Sequence, residues 1–340
     1  MDEASSSAAN NSIRQASITN MAAKSHTNGQ IVEQRGQQCS DCSHVGSSGL
    51  NEDDTGQVGS TKSLSEDAIK YVFENGRRYC NDTYCLPNDE IEQTRQSILH
   101  QLYLCALDGE LTPYPLPDSL SRVLDLGAGS GDWAIAIGEE YPDVEVIATD
   151  ISLFDPQSVS IAPPNVYFQI DDADGKWTFH EPFDFIHIRD LSRAISDWPT
   201  LYQQAFEHLQ PGGFIQISDG NLSANSLPPN SYFNIFISAI RSATEVAGYI
   251  PELEHLRPSA LAAAGFENIR TYDIEVPIGT WPTEPKRKTM GKMALIVLLE
   301  GLEAMSLRLL TKYIGWTAED VLDLCEKVKM EIVNCEGAPG

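Results

Sequence analysis

The stretch Arg122-Val-Leu-Asp-Leu-Gly-Ala-Gly-Ser-Gly-Asp-Trp133 decides the fold of this chain. Its apolar first half predicts a buried strand, and its glycines predict a tight turn that leads into a helix. Glycines at positions 127, 129 and 131 let the backbone approach a ligand closely, where a side chain would collide. A second strand-like run, Glu145-Val-Ile-Ala-Thr-Asp150, ends in an acidic residue. Together these features predict a nucleotide-like cofactor at the carboxyl edge of a parallel sheet.

Two cofactor classes fit such a turn. A dinucleotide needs Gly-x-Gly-x-x-Gly so that its pyrophosphate rests on a helix N-terminus, but here the third glycine comes one residue early. Asp125 lies just before the turn, where a carboxylate would repel pyrophosphate and attract a cationic sulfonium and an ammonium group. The residues therefore favour S-adenosyl-L-methionine. The alternative is a glycine turn that binds nothing.

Strand-like and helical patterns alternate from residue 122 onward. The predicted strands are 122–126, 144–149, 166–170, 183–188, 214–218 and 268–276, and the predicted helices include 132–141, 199–209, 288–312 and 318–334. Such alternation is typical of an α/β, Rossmann-like fold, in which a mostly parallel sheet carries helices on both faces.

The first part of the chain differs in composition from the rest. Residues 1–64 are rich in Ser, Asn, Gln and Gly, so they cannot bury enough apolar surface to offset chain entropy, and we predict a disordered tail. Residues 65–340 are predicted to form one domain, with an N-terminal cap at 65–115 and a helical insert at 225–265. In the cap, Asn88 or Asp89 could begin a helix that runs to about residue 108. Its predicted inner face is Ile91, Ile98, Leu102 and Cys105.

Charge and composition exclude several classes of partner. The 340 residues include 23 Lys and Arg against 49 Asp and Glu, a net charge of −26, which argues against direct binding to nucleic acid or an anionic membrane. No apolar run is long enough for a transmembrane helix, and the N-terminus lacks the basic flank and apolar core of a secretory signal. We expect a cytoplasmic protein. Pro285-Lys-Arg-Lys288 resembles a short nuclear import signal, so a nuclear location stays open.

No metal site is predicted. The seven cysteines are odd in number and scattered, which favours free thiols in a reducing compartment. Cys39-Ser-Asp-Cys42-Ser-His44 has the spacing of half a zinc site, but a matching second half is missing.

Several further motifs occur in order between about residues 68 and 334. They are Glu74-Asn-Gly-Arg-Arg-Tyr79, Leu86-Pro-Asn-Asp-Glu90, Val123-Leu-Asp-Leu-Gly-Ala-Gly-Ser-Gly131, Pro163-Pro-Asn-Val166, Phe183-Asp-Phe-Ile-His-Ile-Arg189, Asp197-Trp-Pro199, Pro211-Gly-Gly213 and Gly279-Thr-Trp-Pro282. With these motifs the chain resembles the fungal methyltransferases related to the secondary-metabolism regulator LaeA. The resemblance implies a class I methyltransferase fold with S-adenosyl-L-methionine as its cofactor.

The resemblance also implies roles for individual residues. Asp125 and the backbone of residues 127–131 would hold the methionine moiety, Asp150 the ribose hydroxyls, and Asp172 or its neighbour Asp171 the adenine amino group. The complete predicted cofactor-binding set is Asp125, Gly127, Ala128, Gly129, Gly131, Asp150, Ile151, Asp171, Asp172, Ala173 and Arg189.

Methyl transfer to a hydroxyl or carboxyl group requires removal of a proton, which predicts a base near the carboxyl edge of the sheet. His187 and Arg189 end the fourth predicted strand there, and Asp219 ends the fifth. These three are the predicted catalytic residues. A histidine inside a strand is more often structural, and Arg189 could orient an acidic substrate or simply pair with Asp190.

The chain departs from the family pattern at three places. Asp132 stands where relatives carry an apolar residue, and Gln216 where many carry Glu. Family members also continue into a final antiparallel strand between strands five and six. We expect that strand to be missing here, which would leave the edge of the fifth strand unpaired.

Two functions follow from the resemblance. The first is an enzyme that methylates a small molecule in fungal secondary metabolism, with no membrane or nucleic-acid partner. The second is a LaeA-like nuclear regulator that acts through protein partners. A third alternative is a cofactor-binding scaffold without catalysis. The sequence leaves the identity of the methyl acceptor open.

Overall fold

The computed structural model describes residues 15–24, 71–152, 156–223, 230–250 and 253–336, all of which belong to one compact unit. Its strands are β1 (Gln15–Lys24), β2 (Val72–Glu74), β3 (Arg77–Tyr79), β4 (Arg122–Leu126), β5 (Glu145–Asp150), β6 (Val166–Ile170), β7 (Phe183–Arg189), β8 (Leu209–Ser223) and β9 (Glu267–Pro277). Seven of them form one parallel sheet in the order β6-β5-β4-β7-β8-β1-β9, and β2 and β3 form a separate hairpin. The predicted α/β fold is confirmed.

The helices are α1 (Glu90–Ala106), α2 (Asp132–Glu140), α3 (Pro156–Ile161), α4 (Trp198–His208), α5 (Tyr232–Val246), α6 (Pro258–Ala263), α7 (Pro285–Tyr313) and α8 (Ala318–Glu336). The helical insert predicted at 225–265 thus contains α5, a short 3₁₀ helix at Glu254–Leu256 and α6. Among the described residues, we find no helix with the length and apolar character needed to cross a membrane.

The two faces of the sheet are covered by different helices because side chains alternate along each strand. Leu124 and Ile186 project to one face and pack with α4 and α6. Val123 and Phe185 project to the other and pack with Trp133 of α2. The five strands β4 to β8 are thereby covered by helices on both faces, and their carboxyl ends lie at one edge of the sheet.

Strand β1 lies within the segment predicted to be disordered, and the prediction is wrong for these ten residues. β1 runs parallel to β8 on one side and to β9 on the other, with Gln15 opposite Phe214 and Glu267. The edge of β8 that we expected to be unpaired is therefore covered. The remainder of residues 1–64, including Cys39, Cys42 and His44, lies outside the described residues.

Helix α1 is the part of the cap that reaches the sheet edge. Asp89 begins it by accepting a hydrogen bond from the Glu92 backbone N–H at 3.1 Å. The predicted inner face is partly wrong, because Ile91 is exposed while the polar side chains of Glu92 and His100 are buried. These buried polar groups indicate that α1 covers a polar site rather than a purely apolar core.

Helix α7 packs against α1 and also holds the turn that follows β9. The Gly279 backbone N–H donates to the Gly291 carbonyl at 2.9 Å, so loop and helix lie in direct contact. A Cβ atom on Gly291 would collide with the Gly279 carbonyl oxygen.

We predict that Gly291→Ala lowers the free energy of unfolding by about 1–3 kcal/mol, because loop and helix must separate to admit the methyl group. The matched control is Gly301→Ala in the same helix, where the new Cβ meets only the flexible Arg95 and Met305 side chains at 3.3 Å or more. There the better helix propensity of alanine offsets the crowding. Urea unfolding followed by circular dichroism measures both, and equal stability losses would contradict the close contact.

Candidate functional site

An open cleft of about 760 Å³ lies at the carboxyl edge, where β4, β5 and β6 end. Gly127 and Gly129 of the turn after β4 have φ angles of 70° and 59°, a region that suits glycine. A Cβ atom would lie 2.5 Å from Leu191 at position 127 and 2.7 Å from Gln96 at position 129. The two glycines therefore allow Leu191 and Gln96 to pack directly against the backbone of the turn.

Asp150 ends β5 and faces this cleft. One carboxylate oxygen accepts from the Gly129 backbone N–H at 2.9 Å, and the other accepts from the backbone and hydroxyl of Ser152, both at 2.9 Å. Burial raises the pKa of Asp150, whereas these hydrogen bonds favour its ionised form. Ser152 thus uses both lone pairs of one oxygen, whereas the oxygen bonded to Gly129 keeps one lone pair that could accept from a ligand hydroxyl.

The other predicted cofactor residues divide into two groups. Ile151, Asp171, Asp172 and Ala173 line the same cleft as Asp150, as predicted from their position after β5 and β6. Ala128 and Gly131 belong to the glycine turn but do not line the cleft. The Ala128 N–H donates to the Thr149 carbonyl at 2.8 Å. Gly131 lies at the start of α2 and has a φ of 83°.

Asp125 is not among the residues that line the cleft, and its contact with the cofactor stays a prediction. It lies opposite His187 in the β4–β7 register, and its Oδ1 lies 2.7 Å from His187 Nδ1. Both residues share the face of Val123 and Phe185, which α2 covers, so their side chains are only 2% and 1% exposed. The second carboxylate oxygen of Asp125 is buried with no hydrogen-bond partner among the described residues.

His187 and Arg189 also lie outside the cleft, on that same face of β7. The His187 ring stacks on Trp133 at 3.8 Å, and burial lowers its pKa despite the neighbouring Asp125. Arg189 lies over the Tyr103 ring at 4.8 Å and within 3.4 Å of His100. Both line a small cavity of about 220 Å³ with Gln216, and their contact with the cofactor or acceptor stays a prediction.

Sequence reasoning missed one wall of the cleft. The cap contributes Cys80, Tyr84, Pro87 and Asn88, and α1 contributes Glu92, Gln93 and Gln96. One signal in the sequence could have indicated this wall: the charged residue Glu92 lies on the helix face that packs inward. In the structure Glu92 accepts two hydrogen bonds from Arg95, at 2.6 and 2.8 Å.

The departure at position 132 also has a structural account. Asp132 accepts hydrogen bonds from Ser130 in the glycine turn at 2.5 Å and from Ser97 of α1 at 2.9 Å. Its carboxylate therefore ties α1 to the turn, and it also suits the positive end of α2.

A second and larger cavity, of about 1530 Å³, lies beside the cleft. Its walls are mainly apolar and come from α1, α5, α7 and the end of β9; they include Leu99, Leu102, Phe236, Ile240, Val276, Ile278, Ala294 and Leu298. Concave sites that bind small organic molecules have this character: apolar walls with a few polar groups.

The polar groups of the large cavity are concentrated where β7 and β8 end. Asp190 follows β7 with a φ of 57°, a strained region that asparagine and aspartate tolerate best. It accepts from the Tyr103 hydroxyl at 2.9 Å, and burial together with the charge of Asp219 raises its pKa to about 6. Asp219, the third predicted catalytic residue, lines this cavity as well and accepts from Ser192 N–H at 3.0 Å.

A search for metal sites among the described residues finds no group of three or more His, Cys, Asp and Glu side chains that could hold an ion. The cysteines whose side chains are described, Cys80, Cys85, Cys105 and Cys325, are free thiols.

The parallel sheet, its glycine turn and the acidic end of β5 define a Rossmann-like cofactor-binding protein. Comparison with known proteins identifies the family to which this cofactor-binding protein belongs. Residues 99–271 match the family model described as "Methyltransferase domain". The chain is 34% identical to "Methyltransferase pytC" of Aspergillus terreus, over 81% of this chain and 86% of that protein. It is also 34% identical to "Secondary metabolism regulator LAE1" of Cochliobolus heterostrophus, over 77% of this chain and 89% of that protein.

A third relative, "Probable methyltransferase tdiE" of Emericella nidulans, is 31% identical over 82% of this chain and 88% of its own length. This chain belongs to the methyltransferase domain family, together with fungal methyltransferases and LaeA-type regulators. The predicted methyltransferase class and its cofactor, S-adenosyl-L-methionine, are confirmed.

The cleft fits this cofactor on structural grounds. The backbone of Gly127 and Gly129 lines it, and one oxygen of Asp150 has a free acceptor position for a ribose hydroxyl. When bound, S-adenosyl-L-methionine supplies an electrophilic methyl group attached to a sulfonium.

We predict that Asp150→Asn weakens binding of S-adenosylhomocysteine at least about tenfold, since a charge-assisted hydrogen bond contributes more than a neutral one. Isothermal titration calorimetry measures the affinity. Asp143→Asn, an exposed acid before β5, is the matched control and should bind like the unchanged protein. Unaltered affinity in Asp150→Asn would exclude Asp150 from the cofactor site.

Proposed function

We propose that this protein methylates a small, largely apolar molecule in fungal secondary metabolism. The observation that carries the proposal is the large apolar cavity directly beside the cofactor cleft. A methyl acceptor must reach the sulfonium, so two sites that share a wall meet the geometric requirement of the reaction.

Two segments form the shared wall. Along α1, Glu92 and Gln96 face the cleft while Arg95 and Leu99 face the cavity. After β7, Leu191 lines the cleft, and its neighbours Asp190 and Ser192 line the cavity. A molecule in the cavity therefore contacts residues adjacent in sequence to those that contact the cofactor.

For cofactor binding, we assign the turn at Gly127 and Gly129 to the methionine end and Asp150 to the ribose. Asp171 and Asp172, at the far side of the cleft, are assigned to the adenine amino group. These assignments are supported by the joint lining of one cleft and by the free acceptor position on the Asp150 oxygen that also bonds Gly129. Asp125 is left out, because its carboxylate is buried against His187.

For the acceptor, we assign the role of general base to Asp190. With a pKa near 6, this carboxylate is ionised at neutral pH yet more basic than an ordinary aspartate. As a hydroxyl acceptor takes the methyl group, its proton passes to Asp190, which Tyr103 orients. Asp219 is assigned a positioning role, because its oxygens already accept from Ser192, Gly220 and His255.

The proposal is tested by incubating purified protein with methyl-deuterated S-adenosyl-L-methionine and a metabolite extract from a strain of the source organism that lacks the gene. We expect one labelled small molecule, identified by mass spectrometry, and its absence from the deletion strain. The control is protein carrying Asp150→Asn.

A regulatory function is the alternative, and the similarity to LAE1 favours it specifically. It predicts that the extract yields no labelled small molecule, whereas transcript profiling of the deletion strain shows loss of expression across several biosynthetic pathways. That combination would refute the small-molecule proposal.

We predict that Asp190→Asn lowers kcat for the labelled product at least 100-fold and leaves affinity for S-adenosylhomocysteine unchanged. In the unchanged protein, the rate should fall as the pH drops below about 6, because the base must be deprotonated. Stopped assays from pH 5 to 8 measure this profile, with the exposed Asp118→Asn as control. A flat profile, or full activity in Asp190→Asn, would show that another group takes the proton.

A further inference from the structure

The charged groups of the large cavity differ in whether they have partners. Arg95 is neutralised by Glu92 through two hydrogen bonds. Asp190 accepts from Tyr103, and Asp219 accepts from two backbone N–H groups and lies 3.2 Å from His255 Nε2. Arg241, a further cation of the cavity lining, also interacts with another group. Among the described residues, Arg193 is therefore the charged group of this lining that shows neither a hydrogen bond nor an ion pair with a protein group.

A guanidinium in a largely apolar cavity is costly unless groups of opposite charge lie near it. Burial lowers the pKa of Arg193, and the positive charge of Arg95 acts in the same direction. Tyr84, Asp219 and Glu92 oppose this shift. A guanidinium stays protonated in proteins. Because none of these opposing groups hydrogen-bonds to Arg193, its N–H donors remain available to a ligand carboxylate in the cavity.

Resting on the proposed function, we propose that the methyl acceptor is an apolar molecule with a carboxylate group, and that Arg193 binds this carboxylate. The planar guanidinium offers two parallel N–H donors that match the two oxygens of a carboxylate. The apolar walls contributed by α5 and α7 take up the rest of the molecule.

A carboxylate could reach Arg193 from two sources, the acceptor or the methionine end of the cofactor. The lining residues favour the acceptor, because Arg193 faces the large cavity, whereas the cofactor cleft is lined at this point by Leu191 and Ala194. Asp219 also lines the cavity near Arg193, and it selects against a second negative charge at that end. A single carboxylate is therefore the charge that fits.

The test measures binding of two carboxylate probes, naphthalene-2-carboxylate and 4-phenylbutanoate, each against its own primary amide. Calorimetric titrations are made with the full chain saturated with S-adenosylhomocysteine. In the unchanged protein we expect each carboxylate to bind at least tenfold more tightly than its amide. Arg193→Gln should abolish this preference, and Arg193→Lys should restore part of it.

Arg257→Gln is the matched control, because Arg257 is exposed and paired with Glu254 outside the cavity; it should keep the preference. Circular dichroism shows whether each variant is folded. If neither carboxylate binds, if the amides bind equally well, or if Arg193→Gln retains the preference, the proposal is overturned.

The same variants separate this inference from the proposed function. Titration with S-adenosylhomocysteine alone should give equal affinities for the unchanged protein and Arg193→Gln. A loss of that affinity in Arg193→Gln would assign the arginine to the cofactor carboxylate and overturn the inference, while the methyltransferase proposal stands. A labelled product that lacks a carboxylate would likewise refute the inference alone.

Discussion

The buried ion pair between Arg77 and Asp89 is the interaction on which both cavities depend. Its two hydrogen bonds, at 2.6 and 2.8 Å, join the β2–β3 hairpin to the first residue before α1. Asp89 also caps that helix, so one carboxylate fixes where α1 begins and how it is rotated. Since α1 lines the cleft with Glu92 and the cavity with Arg95, a small rotation of the helix would displace both sites together.

The charges around the site bear on how a strongly acidic protein would hold a cationic cofactor and the anionic acceptor that we propose. The net charge is −26, and such a surface attracts a positively charged methyl donor. The cleft has acids at the ends of β5 and β6, whereas the cavity combines Asp190 and Asp219 with the guanidinium of Arg193. Low dielectric strengthens each local pairing, so the nearest charge outweighs the overall field there.

Local patterns predicted most of the fold. The boundaries of β4, α2 and β6 follow from apolar runs and glycines that act within a few residues. The contact between Asp125 and His187 could not be predicted, because it depends on strand parity: Asp125 shares the face of Val123, and only the register with β7 shows that His187 lies opposite. The position of Arg193 in the large cavity and the wall that the cap adds to the cleft could not be predicted from the sequence. Both depend on contacts between segments that are distant in sequence.

The position of β1 has a consequence for how the chain folds. Its partners are residues 214–223 of β8 and 267–277 of β9, so β1, which precedes the other described strands in the chain, must wait for both of these distant segments before its two pairings can form. Pairings with such long loops are slow to form. Until then β8 exposes an unsatisfied backbone edge, which makes this nascent intermediate a target for chaperones and for strand exchange between molecules.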